Sequence, residues 1–390
     1  MRQRTIARHP DAPGAIPPGL TTSRRPERLL MNEPIRFFLP GPTYVPMDAR
    51  QAMTKPLMGH RSPAFKDIYA SLSERLPKVL RTAGDGMLAT GSSTLIMEAA
   101  IVSLVRKDVL HLVCGAFSER WFAISKSLGR EADKIEVPLG QAIDPETVRA
   151  ALRRKKYEAV ALVHNETATG VMNPLEEIAR VVREESDALI LVDTVSSLAG
   201  APVETDAWQL DLVLAGVQKA IAAPPGLTIF ALSERAYERA QSVPHRGFYT
   251  DLVRYRDKHR EGGVITTPAI SLCFALDVQL DRILGEGLEA RWERHRRLQE
   301  KTAAWAASRG IEYATAADCR SWTVSCLKPP AGVAATDLTA AMRKRGFTLG
   351  GGYDAWKSST FRIGHMGEVR PSDLDVLFAE IEEVVACTAS

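Results

Sequence analysis

Between residues 84 and 232 the chain alternates short apolar runs with segments of helical periodicity. The runs fall at 87–89, 109–113, 159–163, 189–192, 212–215 and 227–232, each bounded by turn or polar residues. Residues 93–105 and 121–128 carry the helical pattern between them. Unbroken apolar runs of this length mark strands buried on both faces. Strands of that kind separated by helices predict an α/β fold around a largely parallel sheet. Sheets of this type take ligands at the carboxyl ends of their strands, so those ends are where chemistry is sought.

After about residue 285 the pattern changes. A long charged helix is predicted over 288–308, strands over 322–327 and 360–363, and helices over 337–345 and 372–385. This reads as a smaller α+β domain over 286–390, after a large domain over 31–285. Residues 1–30 show no periodicity and hold Pro10, Pro13, Pro17, Pro18 and Pro26 among arginines. A disordered extension is predicted there. Its prolines oppose the amphipathic helix of a transit peptide, and Met31, just ahead of Ile35-Arg36-Phe37-Phe38-Leu39, is the expected start of the native chain.

Composition narrows the classes. A chain of 390 residues exceeds what one core usually serves, in keeping with two domains. No apolar run is long enough to form a membrane-spanning helix. The net charge of +3 belongs to residues 1–30, where six arginines face only Asp11 and Glu27. The remainder is near neutral, which gives no footprint for nucleic acid or an anionic membrane. Cys114, Cys273, Cys319, Cys326 and Cys387 are scattered without a CxxC pair, as in a reduced cytoplasmic protein with neither a disulfide framework nor a metal site.

Three strand ends carry candidate chemistry. Thr90-Gly91-Ser92-Ser93-Thr94 joins a strand to a helix start, where free N–H groups, the helix dipole and hydroxyls suit a phosphate; an ordinary N-cap explains the same residues. Asp193 ends the run 189–192. A carboxylate there needs a positive partner such as a protonated pyridine nitrogen, or else it caps a helix at 194–197. Lys219 follows the next run and becomes a nucleophile and base if burial lowers its pKa, whereas a lone loop lysine is more often solvated.

Taken together, these motifs resemble the class V aminotransferases of fold type I, and within them the alanine–glyoxylate, serine–glyoxylate and serine–pyruvate subgroup. The resemblance runs from Phe38-Leu39-Pro40-Gly41-Pro42-Thr43 through Gly59-His60-Arg61-Ser62, the TGSST turn, His164-Asn165-Glu166-Thr167-Ala168-Thr169-Gly170 and Val192-Asp193. It continues through Gly216-Val217-Gln218-Lys219 with Pro224-Pro225-Gly226 to Phe361-Arg362-Ile363-Gly364-His365-Met366-Gly367. It implies a large domain built on a seven-stranded sheet and a cofactor, pyridoxal 5′-phosphate, held by Lys219 as a Schiff base. Lys219 then moves the proton at the substrate Cα, and Asp193 pairs with the pyridine nitrogen. Ser92, Ser93 and Gln218 take the phosphate, joined by Thr267 from the other subunit of a homodimer, and Thr94 also contacts the cofactor. Phe117 and Val195 flank the ring, and the Thr167 hydroxyl approaches its substituents. Arg362 binds the substrate carboxylate, with Gly41 on the other side of the pocket. Arginine suits this task because its guanidinium makes two parallel hydrogen bonds in one plane.

The sequence departs from the subgroup at three places. Phe117 stands where a Trp is common, with Trp121 as a core residue; Thr94 stands where some members have His; and Gly263-Val264-Ile265 lacks a Tyr that several members supply. The expected reaction moves an amino group from alanine or serine to glyoxylate or pyruvate. Donors such as 2-aminoethylphosphonate or (S)-ureidoglycine are the nearest alternative. A desulfurase is a more distant one, since Cys319 and Cys326 flank a strand rather than a small-residue loop.

Overall fold

The structure is a computed structural model and describes residues 35–389, so the extension predicted over 1–30 and Met31 lie outside the described residues. The strands begin with β1 Phe37–Phe38, β2 Gly86–Thr90, β3 Asp108–Val113, β4 Glu131–Glu136, β5 Ala159–Val163, β6 Asn165–Glu166 and β7 Val171–Met172. They continue with β8 Leu189–Asp193, β9 Leu212–Gly216, β10 Leu227–Leu232, β11 Val324–Leu327, β12 Thr348–Gly351 and β13 Phe361–Gly364. A seven-stranded sheet runs in the order β2-β10-β9-β8-β5-β3-β4. The neighbours from β9 to β4 are parallel, and β10 alone runs against both of its neighbours.

The apolar runs predict this sheet because each strand feeds two cores in alternation. Val160, Leu162, Ile190, Val192, Val213 and Ala215 pack on one face. Ala159, Ala161, Leu189, Leu191, Leu212 and Leu214 pack on the other. The period of two therefore persists inside each apolar run, with both phases buried. Helix Ser93–Leu104 covers the second face, while Pro63–Leu80 and Ile270–Glu286 bury their apolar sides on the first.

Strand β4, with the sequence EADKIE, was not anticipated. It pairs only with β3 at the sheet edge, and its charged side chains face water, which suits an edge that must not recruit another strand. The segment 194–197 forms a turn rather than a helix.

A second sheet, in the order β1-β12-β13-β11, packs against helices Leu288–Ser308, Ala335–Lys344 and Pro371–Ala389 around Phe38, Leu298, Phe347, Phe361 and Ile363. Its first strand comes from the N-terminal end of the described residues. Phe37 and Phe38 pair in parallel with Thr348 and Leu349, because the aromatic side chain of Phe38 finds its apolar partners in the C-terminal core. No described helix is long and apolar enough to cross a membrane.

One buried acid fastens the start of β9. Asp211 accepts from Arg183 at 2.6 Å, Arg235 at 3.3 Å, the Ile190 N–H at 2.8 Å and the Ser233 hydroxyl at 2.8 Å. Asp211→Ala strips the mostly buried Arg183 of its carboxylate, and is expected to lower unfolding stability by about 3 kcal/mol. A lowered denaturant midpoint at unchanged slope checks this.

Candidate active site

A cavity of about 230 Å³ opens at the carboxyl ends of β2, β5, β8 and β9; its walls include Gly41, Ser92, Ser93, Thr94, Phe117, Arg120, Asn165, Thr167, Asp193, Val195, Gln218 and Lys219. Strands β5, β8 and β9 are parallel neighbours, and β2 runs the same way because β10 between β2 and β9 is antiparallel to both, which is why residues so far apart in sequence meet at one end of the sheet.

Lys219 leaves β9 after Gly216 and is 8% exposed, with its Nζ donating to the Pro40 carbonyl. Burial, helped by the charge of Arg362, pushes the ammonium down to about 8, against the pull of Asp193 and Glu166. A neutral amine is thus within reach near physiological pH. Gly41 makes room for it: a Cβ there would collide with Nζ, Cε and Cδ of Lys219, and its φ of +120° is a conformation that L side chains rarely adopt.

Asp193 ends the neighbouring strand β8. Its Oδ1 accepts the Val195 N–H at 2.7 Å. Burial pushes the carboxyl up to about 7; Val195, Lys219 and Arg120 oppose the shift and Glu166 adds to it. Among the described residues it has no ion pair, so a cation brought by a ligand would be favoured there.

The TGSST turn forms the third wall. Ser92 occupies the N-cap of helix Ser93–Leu104 yet makes no side-chain cap bond, so its hydroxyl is not spent on the helix. Gly216 lies beneath Ser93 and Gln218; a Cβ on it would stand 2.7 Å from the Ser93 hydroxyl and 2.6 Å from the Gln218 side-chain oxygen. The hydroxyl and the amide therefore converge beside the helix N-terminus, a setting suited to an anion.

The small sheet contributes Arg362 on β13. Its Nη1 donates to the Thr167 carbonyl at 2.9 Å and its Nε to the Gly351 carbonyl at 2.8 Å, which fixes the guanidinium plane. No carboxylate pairs with it among the described residues. The Thr167 hydroxyl shares a 2.5 Å hydrogen bond with Ser196. Phe117 lines the cavity, whereas Trp121 is 1% exposed and donates its indole N–H to the Met97 carbonyl at 3.0 Å, which makes it a core residue. Thr267 is exposed and outside the cavity, on the loop that leads to Ala269.

Several further neighbours join the site in the structure. Asn165 donates to the Ser196 carbonyl at 2.9 Å and to Thr323 at 2.7 Å, while its buried Oδ1 is without a partner. Arg120 lies 4.8 Å from the Phe117 ring centre, and Phe117 lies 5.4 Å from the ring of Tyr353. Glu166 is buried behind this wall. Asn165 and Glu166 stand inside the HNETATG motif and could have been singled out there; Tyr353 sits in no motif.

The model of the family "Aminotransferase class-V" matches residues 58–384. The chain belongs to the class V aminotransferases. An uncharacterised aminotransferase of Methanocaldococcus jannaschii is 40% identical, over 85% of this chain and 87% of its own. Serine–glyoxylate aminotransferase of Methylorubrum extorquens is 32% identical, over 91% and 90%. Among solved structures, ureidoglycine–glyoxylate aminotransferase of Bacillus subtilis superposes with a TM-score of 0.85 at 28% identity, covering 92% of this chain and 95% of that one. The α/β architecture of this class V aminotransferase is thus shared over nearly its whole length.

The proton balance at Lys219 has a direct readout. Its deprotonated amine is the reactive form, so reductive labelling of the cofactor-free protein by a small aldehyde should rise with pH through a midpoint near 8 at Lys219. Surface lysines should rise nearer their ordinary value of about 10.4. Peptide mapping of the labelled protein across pH distinguishes the two; a Lys219 profile that follows the surface lysines would contradict the burial argument.

Proposed function

We propose that this enzyme uses pyridoxal 5′-phosphate to move an amino group from a small amino acid, alanine or serine, to glyoxylate or pyruvate. One observation carries the reading: a buried lysine of lowered proton affinity shares a cavity with a buried carboxyl that has no ion pair among the described residues and with an uncapped helix N-terminus. These match the aldehyde, the pyridine nitrogen and the phosphate of that cofactor. When bound, it acts as an electron sink that acidifies the substrate Cα–H.

Each side chain then has a task. The Lys219 amine holds the cofactor and afterwards accepts and returns the Cα proton, for which a pKa near 8 is well placed. Asp193 keeps the pyridine nitrogen protonated. Ser92, Ser93 and Gln218 hold the phosphate, Thr94 lines the cavity beside them, Phe117 and Val195 confine the ring, and Thr167 meets its substituents. Arg362 receives the substrate carboxylate across from Gly41, its plane already set by the Gly351 and Thr167 carbonyls.

The donor and acceptor classes are supported by the serine–glyoxylate relative, and the B. subtilis likeness keeps (S)-ureidoglycine as the nearest alternative donor. For a desulfurase the cysteines are badly placed. Burial pushes the Cys326 thiol up to about 11 and raises that of Cys319, and neither lines the cavity. We further assign the enzyme to the cytoplasm, as a homodimer in which the exposed Thr267 reaches the partner's phosphate site. A solution mass near twice 42.7 kDa is expected.

The decisive test is a half-reaction screen that follows the visible absorbance of the bound cofactor while single amino donors are added. Alanine or serine should discharge it fastest, ahead of aspartate, 2-aminoethylphosphonate and (S)-ureidoglycine. Lys219→Ala should abolish both the absorbance of the lysine adduct and turnover, and persistent turnover in that variant would sink the assignment. Arg362→Lys, which loses the two-pronged contact, is expected to lower kcat/KM by about 10- to 100-fold, mainly through KM.

A further inference from the structure

Glu166 is a carboxyl group with no exposure to water and, among the described residues, no Lys, Arg or His in an ion pair with it. Its neighbours are hydrogen-bond donors. One oxygen, Oε2, accepts the N–H of Phe117 at 3.0 Å and of Ser118 at 3.1 Å, with the Ser118 hydroxyl also at 3.1 Å. The other, Oε1, accepts the Ala168 N–H at 3.1 Å. Burial raises its proton affinity, and these donors offset only part of that rise.

The arrangement replaces a missing helix cap. Helix Ala116–Ser127 begins after Gly115, which has no side chain to offer its first amides. Gly115 is also what lets the acid in, since a Cβ there would stand 2.5 Å from the Glu166 Cγ. Glu166 thus caps from a distant segment, and a carboxylate at a helix N-terminus gains from the dipole as well as from the amides. The Ser118 hydroxyl already accepts from the Cys114 and Gly115 N–H groups at 3.0 and 3.1 Å, so it has little capacity left to accept from a protonated Glu166.

We propose that Glu166 is a positioning residue of the cofactor site, holding the Phe117 ring and the Thr167 backbone in register on two walls of the cavity. The amide of Phe117 is bound directly, and Thr167 is chained between Glu166 and Ala168, with its own carbonyl held by Arg362. The proposal rests on the cofactor reading above. Glutamine has nearly the same shape but cannot substitute electronically. Whichever way its amide turns, an NH₂ group faces either the Ala168 N–H or the amides of Phe117 and Ser118.

The test is a titration of cofactor-free protein with pyridoxal 5′-phosphate for the wild type, Glu166→Gln, Phe117→Leu and the double variant. Glu166→Gln is expected to raise Kd about tenfold, the loss of roughly one charge-assisted hydrogen bond. In the Phe117→Leu background the same substitution should change Kd by less than about threefold, because the share of its effect that passes through the Phe117 ring is already lost and only the Thr167 share remains. Glu166→Asp keeps the charge but falls one methylene short of the amides; it is expected to weaken binding similarly, and serves if the glutamine variant does not fold. Wild-type Kd in the Gln or Asp variant, or effects of Glu166→Gln and Phe117→Leu that simply add, would overturn the proposal and leave the cofactor reading intact. A wild-type protein that binds no pyridoxal 5′-phosphate would overturn both.

Discussion

Lys219 and Asp193 are withdrawn from water at the ends of two adjacent parallel strands, and much of the site follows from that burial. In a low-dielectric setting the charged forms of both groups lose their hydration, so the base becomes weaker and the acid weaker too. Their proton affinities move toward each other, to about 8 and about 7. Neither is neutralised by a close ion pair within the described residues, which leaves both available to a ligand. The pair sits at the end of a sheet buried on both faces, with Gly41 and Gly216 leaving room where side chains would fill the space.

The second sheet matters to this site through two connections. Strand β1 pairs with β12, and the chain then passes directly through Pro40 and Gly41 to Lys219, whose Nζ donates to the Pro40 carbonyl. Strand β13 carries Arg362, which donates to the Thr167 carbonyl on the opposite wall. Tyr353, which follows β12, lies against Phe117. Residues of the two sheets therefore approach one another beside the cavity, with Arg362 bound to the backbone of Thr167, which lines it.

The separate anion and cation preferences along the cavity are also physical consequences of strand ends and helix starts. At the TGSST turn the helix offers amides and hydroxyls to an anion; at Asp193 a buried carboxyl favours a cation; at Arg362 a fixed guanidinium favours a carboxylate. Glu166 belongs to the same scheme from behind the wall, spending its charge on amides instead of on a ligand.

Local pattern was enough for much of this protein. Runs such as 159–163, 189–192 and 212–215 declared themselves as buried strands because every residue in them is apolar, and the placement of Asp193 and Lys219 just beyond two of those runs made both candidates for chemistry. The order of motifs from Pro40-Gly41-Pro42 to Phe361-Arg362-Ile363 pointed to the family. Pairing was not legible. Strand β4 has the composition of a solvated segment and is a strand only because β3 offers it an open edge; β1 joins the C-terminal sheet because Phe38 finds its apolar neighbours there. The roles of Glu166 and Tyr353 likewise depend on contacts with residues 48 or more positions away. Burial leaves its mark on neighbouring residues in the sequence, whereas partners are chosen by three-dimensional packing. The sequence by itself therefore determined the kinds of elements and the reactive groups, and only the tertiary structure decided which walls those groups share.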